Sequence, residues 1–475
     1  MGQNAGAVEG CAAAAILTSL TRWSGRMGVT AEVTRTVVAV SVRGRMRWAA
    51  RHGAVRWVLG RAERHGDTAT LAMAPPAMAT DPYPAYDDLR SRGSFVSGRL
   101  AMVTASHPAT VAVLRSDAFG ASVDVSRLPL PLRLMARLSQ DAAANGPIDP
   151  PSLLAVDPPD HTRLRRLVSR VFTARAIEGL RGQVERTADE LLDAMAGENT
   201  VDLVDRYAAR LPVTVIASVL GVPADMRAQF LAWGTAAAAT LDVGLPYGTF
   251  RQVENAQRAI NAWLGGHFER LRRNPGEDIL SRLVGLVDDG DQLTETELTA
   301  TAQLLLAAGF ETTVNLLGNG ATLLLEHPDQ LNLLREDPGR WSNAVEEILR
   351  YETPVQLTAR VARADTYILD TAVPAGRLVI SLLAGANRDP ALFIDPHVFD
   401  VERSNARDHL AFSSGIHYCL GAALARLEGE IGLRSLFERY PNLALAGTPR
   451  RRPTRVLRGY ETLPISLGTA IRPIR

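Results

Sequence analysis

The residues best suited to chemistry in this chain of 475 residues lie around Cys419. Gly415 and Gly421 stand on either side of this cysteine, and an apolar run, residues 420–425, follows it. The one other cysteine is Cys11, so Cys419 has no nearby sulfur partner for a zinc site or a redox pair. Backbone N–H groups and the dipole of the following helix would favour its thiolate form. Such a thiolate could bind haem iron, although Cys419 taken alone also suits a buried, inert side chain.

A second group of polar residues interrupts an apolar helical run at residues 306–314. Burial of Glu311 and Thr312 in mid-helix is costly unless these side chains are paired or functional. Gly309 costs the helix about 1 kcal/mol relative to alanine. Ala308 and Gly309 would leave room beside a flat cofactor. The alternative is close helix packing through small residues, with Thr312 bonded back to a backbone carbonyl.

Two charged pairs have helical spacing. Glu347 and Arg350 are three residues apart, and such a pair, if exposed, stabilises a helix by only a few tenths of a kcal/mol. His161 and Arg165 are four apart and share one face of a helix that Asp160 is expected to cap. Arginine is well suited to binding carboxylates, but each of these charges could equally be a surface charge.

Four motifs occur in the order typical of the cytochrome P450 family, bacterial type, and the chain resembles that family from Asp81 to about Pro464. Residues 412–422 resemble its haem-binding loop, although Ser413 replaces the usual glycine. The other three motifs are residues 157–166, 308–312 and 347–350. The resemblance implies a mainly α fold with small β-sheets and one long central helix.

The resemblance also implies a role for each candidate residue. Cys419 would be the axial iron ligand of haem b, and Glu311 and Thr312 would organise proton delivery during oxygen activation. Glu347, Arg350 and Arg403 would form a structural cluster behind the haem loop. The residues expected to contact the cofactor, with the histidines and arginines at its propionates, are Cys419, His161, Arg165, Arg360, His417, Ala308, Gly309, Phe412, Gly415 and Gly421.

The elements that must position these residues can be predicted from periodicity. Thr294 and Glu297 form a capping-box pattern that begins a helical run to Glu326, roughly 48 Å at ~1.5 Å per residue. Residues 174–287 have a helical pattern, whereas residues 94–103, 367–369 and 378–382 resemble strands. Residues 81–475 are therefore expected to form one catalytic domain.

The N-terminal part differs in composition. Residues 1–45 are predicted to be a disordered extension, or to arise from a start codon placed too early; a transit peptide is a further alternative. Residues 46–80 are predicted to be a basic helical segment, in which residues 46–65 either pack on the catalytic domain or make weak contact with an anionic membrane surface. The apolar run 12–20 is far shorter than the ~20 residues that span a bilayer.

Composition excludes several classes of function. The 52 basic residues, all arginine, nearly balance 51 acidic ones, and this net charge of +1 argues against bulk binding of nucleic acid. Two cysteines give no disulfide framework, which fits a reducing cytoplasm.

With these features, the resemblance implies a monooxygenase that inserts one oxygen atom of O₂ into a C–H bond of a hydrophobic small molecule. Because no flavin or iron–sulfur motif is visible, electrons should come from separate proteins, and the resemblance implies a ferredoxin whose reductase takes them from NAD(P)H. The ferredoxin would dock on arginines such as Arg163, Arg166, Arg170 and Arg426. The alternatives are a peroxide-driven peroxygenase, whose members tend to lack the Glu311–Thr312 pair, and a haem-based sensor without turnover, which would not need Thr312.

Overall fold

The computed structural model describes residues 44–65, 67, 81–99, 101–122, 130, 133, 141–286 and 291–469. The chain divides into two compact units, Met1–Ala54 with Val125–Gln140, and Val55–Asp124 with Asp141–Arg475. In the first unit residues 44–48 are helical and a π-helical turn spans Ala49–Gly53. The predicted extension at residues 1–45 lies outside the described residues, apart from its last two. The elements below belong to the second unit, except that the first residue of helix α1 (Ala54–Arg64) is the last residue of the first unit's N-terminal segment.

Helices make up most of this unit. In chain order they are α1 (Ala54–Arg64), α2 (Tyr83–Ser91), α3 (His107–Arg115), α4 (Asp160–Ser169), α5 (Ala174–Glu178), α6 (Arg181–Asp193), α7 (Arg210–Val219), α8 (Arg227–Ala238), α9 (Tyr247–Arg273), α10 (Ile279–Gly285), α11 (Glu295–Glu326), α12 (Pro328–Glu336), α13 (Trp341–Tyr351), α14 (Leu383–Ala386) and α15 (Ala422–Arg439). Short 3₁₀ turns include Gly415–His417, and a second π-helical turn spans Val204–Ala208.

The strands that the structure describes are short and form four small sheets. They are β1 (Val96–Ser97), β2 (Ala101–Thr104), β3 (Phe119–Gly120), β4 (Thr200–Asp202), β5 (Thr358–Ala362), β6 (Thr366–Ile368), β7 (Thr371–Val373), β8 (Leu378–Ser381), β9 (Ala444–Leu445), β10 (Arg450–Arg451), β11 (Tyr460–Thr462) and β12 (Pro464–Ser466). The largest sheet has the order β1-β2-β8-β5-β3, in which β2 and β8 are parallel. The others are β4-β12-β9, β10-β11 and β6-β7. The predicted fold class, mainly α with small sheets, is confirmed.

The long central helix α11 organises the core. Its capping box is present, since the Thr294 backbone N–H donates to Glu297 Oε2 at 2.8 Å and the Glu297 N–H donates to Thr294 Oγ1 at 3.3 Å. One apolar cluster joins α11 to α6, α7, α13 and α15, and a second joins its first half to α4 and to helices α7–α10. Buried on most sides, α11 is therefore a rigid support for the polar side chains that it carries.

Two local predictions were wrong. Helix α4 begins at Asp160 itself, and its cap position is Pro159, which offers no side-chain cap. The Asp160 carboxylate therefore lies in the first turn, where it interacts with the helix dipole instead of capping. The helical pattern of residues 174–287 also contains β4, because Val201 is held by pairing with distant β12. Among the described helices, none is long and apolar enough to cross a bilayer.

Candidate active site

The Cys419 loop is shaped by its backbone. It leaves the 3₁₀ turn Gly415–His417 and enters α15, whose N-cap is Gly421. The Cys419 N–H donates to the Phe412 carbonyl at 2.9 Å, which closes the loop on itself. Phe412 is buried in the apolar core and therefore anchors the start of the loop there.

Two positions in the loop adopt left-handed backbone. Gly415 has φ +69°, and a Cβ atom there would lie 2.3 Å from the carbonyl oxygen of Leu114, at the end of α3. Only glycine therefore fits this position without movement of α3. Ser413 has φ +63°, a conformation that strains any residue with a Cβ. The departure from the family glycine thus stores strain beside Cys419.

The protein environment alone does not favour a thiolate at Cys419. Burial raises the pKa of the thiol, and this effect outweighs the backbone N–H of Gly421 and the positive charges of Arg165 and Arg426. The expectation that the helix start would stabilise the thiolate by itself is therefore wrong. The residue is nonetheless exposed. A metal ion bonded to the sulfur would remove its proton.

Four cationic or potentially cationic side chains gather beside Cys419. The rings of His161, on α4, and His417 lie 4.3 Å apart between centroids. Burial lowers the pKa of both, that of His417 to about 3, and the positive charges of Arg165 and Arg360 lower them further. Burial also lowers the pKa of both arginines. Asp157 opposes these shifts at three of the four side chains, but one carboxylate is too few to balance them.

These residues fit haem b. The two arginines of the cluster carry more positive charge than the single carboxylate of Asp157 balances, and two propionates would supply further anions. His417 Nε2 is buried and has no hydrogen-bond partner among the described side chains and backbone. A Cβ atom at Gly421 would meet no protein atom within 4 Å. An accessible thiol, an unpartnered imidazole nitrogen and open space beside the loop together match an iron porphyrin with two carboxylates.

The polar segment of α11 has two features. Thr312 Oγ1 donates to the carbonyl of Ala308 at 2.6 Å, and Gly309 lies so close to α7 that a Cβ there would be 3.3 Å from Ile216 Cδ1. Glu311 is 2% exposed and its Oε1 lies 3.0 Å from a terminal nitrogen of Arg452. Burial raises the pKa of Glu311, and Arg452 opposes that shift. The site therefore holds a buried acid next to a hydroxyl, in a helix that remains continuous.

Helix α15 connects the cysteine loop to α11. It begins three residues after Cys419, and a Cβ atom added at Gly429 would lie 2.8 Å from Leu316 of α11. A hydrogen bond also joins the Glu428 carboxyl to Thr313. The loop and the acid–threonine pair are thus positioned by two helices in direct contact.

Comparison with known proteins identifies this arrangement. The family model described as Cytochrome P450 matches residues 341–456. A putative cytochrome P450 140 of Mycobacterium bovis is 49% identical over 433 residues, which cover 90% of this chain and 99% of that protein. The chain belongs to the cytochrome P450 family. It is an oxidoreductase of the monooxygenase type, and the family implies a haem cofactor with its iron.

Other relatives of this P450 agree. The 6-deoxyerythronolide B hydroxylase of Saccharopolyspora erythraea is 45% identical over 315 residues, covering 66% of this chain and 76% of that protein. The crystal structure of P450BioI in complex with hexadec-9Z-enoic acid ligated acyl carrier protein superposes with a TM-score of 0.74 at 35% identity. The superposition covers 82% of this chain and 98% of that one, so the fold is shared over the catalytic region.

The structural cluster of this P450 is buried and fully bonded. Arg350 donates to both carboxylate oxygens of Glu347, at 2.6 and 2.7 Å, and Arg403 Nε donates to Glu347 Oε1 at 3.2 Å. Arg350 also donates to the carbonyls of Asn387, Pro396 and Val398. The structure therefore brings the three predicted residues together. Their hydrogen bonds attach α13 to the segment that precedes the cysteine loop.

Sequence reasoning missed the arginine run at residues 450–452. Each member pairs with a different acid: Arg450 with Glu461 at 3.1 Å, Arg451 with Glu352 at 3.1 Å, and Arg452 with Glu311. The available signal was the run of three consecutive arginines itself. It is easily overlooked, because a run of like charges usually stays solvated. Here the fold turns two of the three toward buried carboxylates.

The predicted docking arginines are mostly paired. Arg163 and Arg166 lie 3.1 and 3.5 Å from Asp291, and Arg163 also bonds Glu297. Arg426 binds the buried Glu346 at 2.7 Å and stacks over Phe412 at 4.5 Å. These arginines therefore offer less free positive charge than the sequence suggested.

Proposed function

We propose that this P450 hydroxylates an unactivated C–H bond of a hydrophobic small molecule, using haem b, dioxygen and electrons from a separate protein. The observation that carries the proposal is the exposed Cys419 beside two arginines, Arg165 and Arg360, and two histidines, with Asp157 as the carboxylate that acts on this cluster. When bound, haem b would supply the redox chemistry that splits dioxygen and oxidises the substrate.

Each residue then has a proposed role. Cys419 would bind the iron, and His161, Arg165, Arg360 and His417 would hold the propionates. Phe412, Gly415 and Gly421 would shape the loop, whereas Ala308 and Gly309 would lie beside the cofactor.

Glu311 and Thr312 would control protons. Burial raises the pKa of Glu311 above that of an exposed carboxyl, which is the direction that a proton-transferring group requires. The Thr312 hydroxyl, bonded back to Ala308, would turn toward the reacting oxygen when substrate and dioxygen are present.

A hydrophobic substrate fits the apolar surroundings of the site. Gly309 faces Ile216, and Leu304 and Leu305 lie half-buried one turn before it on α11. The relatives named above act on 6-deoxyerythronolide B or bind a fatty acyl chain, which supports a polyketide or lipid of comparable size.

The proposed electron donor is a ferredoxin, reduced by NAD(P)H through its reductase. We propose that it docks on a surface formed by Arg407, Arg426 and Tyr418. Both arginines bind the buried Glu346, and Arg426 donates to the Tyr418 hydroxyl at 3.3 Å. Tyr418 is a neighbour of Cys419, and Arg407 is 68% exposed. Arg407→Glu should slow reduction and weaken its salt dependence. Arg434→Glu, an exposed and paired arginine on α15, is the control.

One spectrum tests the reaction class. The haem-loaded protein, reduced under carbon monoxide, should show a thiolate-type Soret band, and Cys419→Ser should abolish it. Arg360→Gln should weaken haem retention without moving the band, because it affects the propionates and not the sulfur. A wild-type protein without the thiolate band would contradict the proposal.

A second test separates a monooxygenase from a sensor. Thr312→Ala should lower the product formed per electron pair in a monooxygenase, whereas ligand binding in a sensor would not change. We also propose that residues 81–475 form one catalytic domain. A cytoplasmic location is proposed as well, and the presence of only two cysteines in the sequence supports it.

A further inference from the structure

One face of α11 carries a row of polar side chains, although this part of the helix is buried in the core. Glu311, Asn315 and Asn319 are spaced by four residues, so they lie above one another along the helix, and Thr322 continues the row. All four side chains are at most 3% exposed. Such a row is costly in a core helix unless its groups are paired or functional.

The C-terminal hairpin of β10 and β11 covers this row. Arg452 pairs with Glu311 at the inner end, and a terminal nitrogen of Arg451 donates to Asn319 Oδ1 at 2.9 Å. Between them the chain passes so close that a Cβ at Gly459 would lie 1.8 Å from Asn315 Oδ1. The hairpin therefore touches the row at each of its three inner positions.

Asn315 is the unusual member of the row. Both polar atoms of its amide are buried, and neither has a hydrogen-bond partner among the described residues. Neither carboxylate oxygen of Glu311 has a well-aligned hydrogen bond either, although Arg452 is close. Buried polar atoms without protein partners are commonly satisfied by ordered water, which needs several polar neighbours. The row supplies those neighbours.

The outer end of the row reaches the surface. A cavity of about 200 Å³ is lined by Asn319, Thr322, Arg451 and Tyr460, and also by Asp81 and Glu326, which are exposed. From Asn319 to Asn315, and from Asn315 to Glu311, is about one helical turn, ~5.4 Å each. Two water molecules could bridge such steps.

We propose that protons reach Glu311 from this surface cavity along the polar face of α11, past Asn319 and Asn315, and that Arg452 positions the carboxylate at the inner end. The inference deepens the proposed function and rests on it. For each proton that Glu311 gives to the reaction, one enters from solvent, so the row regains its protonation state after each turnover. Arg452 is the charged group that faces Glu311, and Arg451 and Glu352 face the cavity end.

The test follows the Glu311 carboxyl in the haem-loaded resting protein by infrared spectroscopy. After mixing with D₂O, the time for the COOH band to become COOD measures proton access without turnover. Glu311→Gln and Glu428→Gln assign the bands of these two buried carboxyls. Asn315→Leu should slow exchange at Glu311 roughly tenfold, as about 1.4 kcal/mol of added barrier would. Asn315→Asp should not, and the Glu428 band should be unaffected by either.

A second arm covers the case in which Asn315→Leu does not fold. Arg452→Gln should raise the pH at which the Glu311 band titrates, because a facing positive charge is lost, and Arg452→Lys should restore it. Product per electron pair should fall in Asn315→Leu and Arg452→Gln alike. Unchanged exchange in Asn315→Leu, or an unchanged titration in Arg452→Gln, overturns the proton route. If the wild-type thiolate band is present, the proposed function survives that result; if the band is absent, the function itself fails.

Discussion

Arg350 and Glu347 form a bidentate ion pair, with nitrogen–oxygen distances of 2.6 and 2.7 Å, and both side chains are 0% exposed. The Asp400 backbone N–H and Arg403 Nε also donate hydrogen bonds to this carboxylate, both to Glu347 Oε1. Since each charge is balanced only by the others, removal of one leaves buried charge without compensation.

Glu347→Gln should therefore destabilise the protein by about 3–5 kcal/mol and release haem, as measured by denaturant unfolding and by the Soret absorbance. The control is Glu438→Gln, which breaks the exposed Arg434–Glu438 pair at 2.7 Å. Exposed pairs contribute about 0–1 kcal/mol, so the control should scarcely change stability. Equal losses in the two variants would show that the buried cluster has no special structural role.

Acid should weaken the protein through Glu346. Burial alone would raise the pKa of this carboxyl, but hydrogen bonds from His409 and Arg426 outweigh burial and hold it at about 2. The fall from 4.5 corresponds to about 3 kcal/mol of stability, present above pH 4.5 and lost as pH falls toward 2. The unfolding free energies of wild type and Glu346→Gln should therefore differ by about 3 kcal/mol near neutral pH and converge in acid. A constant difference would contradict this linkage.

The two left-handed positions of the cysteine loop predict opposite responses. Ser413→Gly should stabilise the protein by about 0.5–1 kcal/mol, since relief of strain at φ +63° exceeds the added entropy of the unfolded chain. Gly415→Ala should destabilise it by more than about 2 kcal/mol, because the new methyl group would meet the Leu114 carbonyl. Thermal unfolding of the haem-loaded variants would measure both. If Ser413→Gly instead lowered the midpoint, the serine would be a stabilising substitution.

The parts of the fold that sequence predicted are those specified by local pattern. The α11 capping box, its run to Glu326 and the strand at residues 378–382 follow from spacing alone, and all three are present. The four motifs likewise pointed to Cys419, the acid–threonine pair and the Glu347–Arg350 pair, because each depends on residues close together in sequence, whereas Arg403 joins that pair across 56 positions of chain.

The parts that sequence did not predict depend on contacts between distant segments. Arg452 reaches Glu311 across 141 positions of chain, and β4 exists because it pairs with β12, so neither leaves a local signal. The pKa of Cys419 was also misjudged, because a helix start was visible in the sequence but the burial that outweighs it was not.

Replacement of the buried Glu428 carboxyl by an amide should increase the free energy of unfolding. Glu428 is 1% exposed, its carboxyl is hydrogen-bonded to Thr313, and burial raises its pKa well above the ordinary value. The folded protein therefore keeps this group protonated at pH values where the unfolded chain ionises. Above pH ~4.5 this difference costs the wild type about 1.4 kcal/mol per pH unit until the folded pKa is reached. Glu428→Gln keeps the shape and a hydrogen bond to Thr313 but cannot ionise, so its stability advantage should grow as pH rises from about 5 to 8. Urea unfolding of both proteins across that range would measure it. An advantage that stays constant or shrinks with pH would mean that Glu428 is ionised in the folded protein and has a cationic partner.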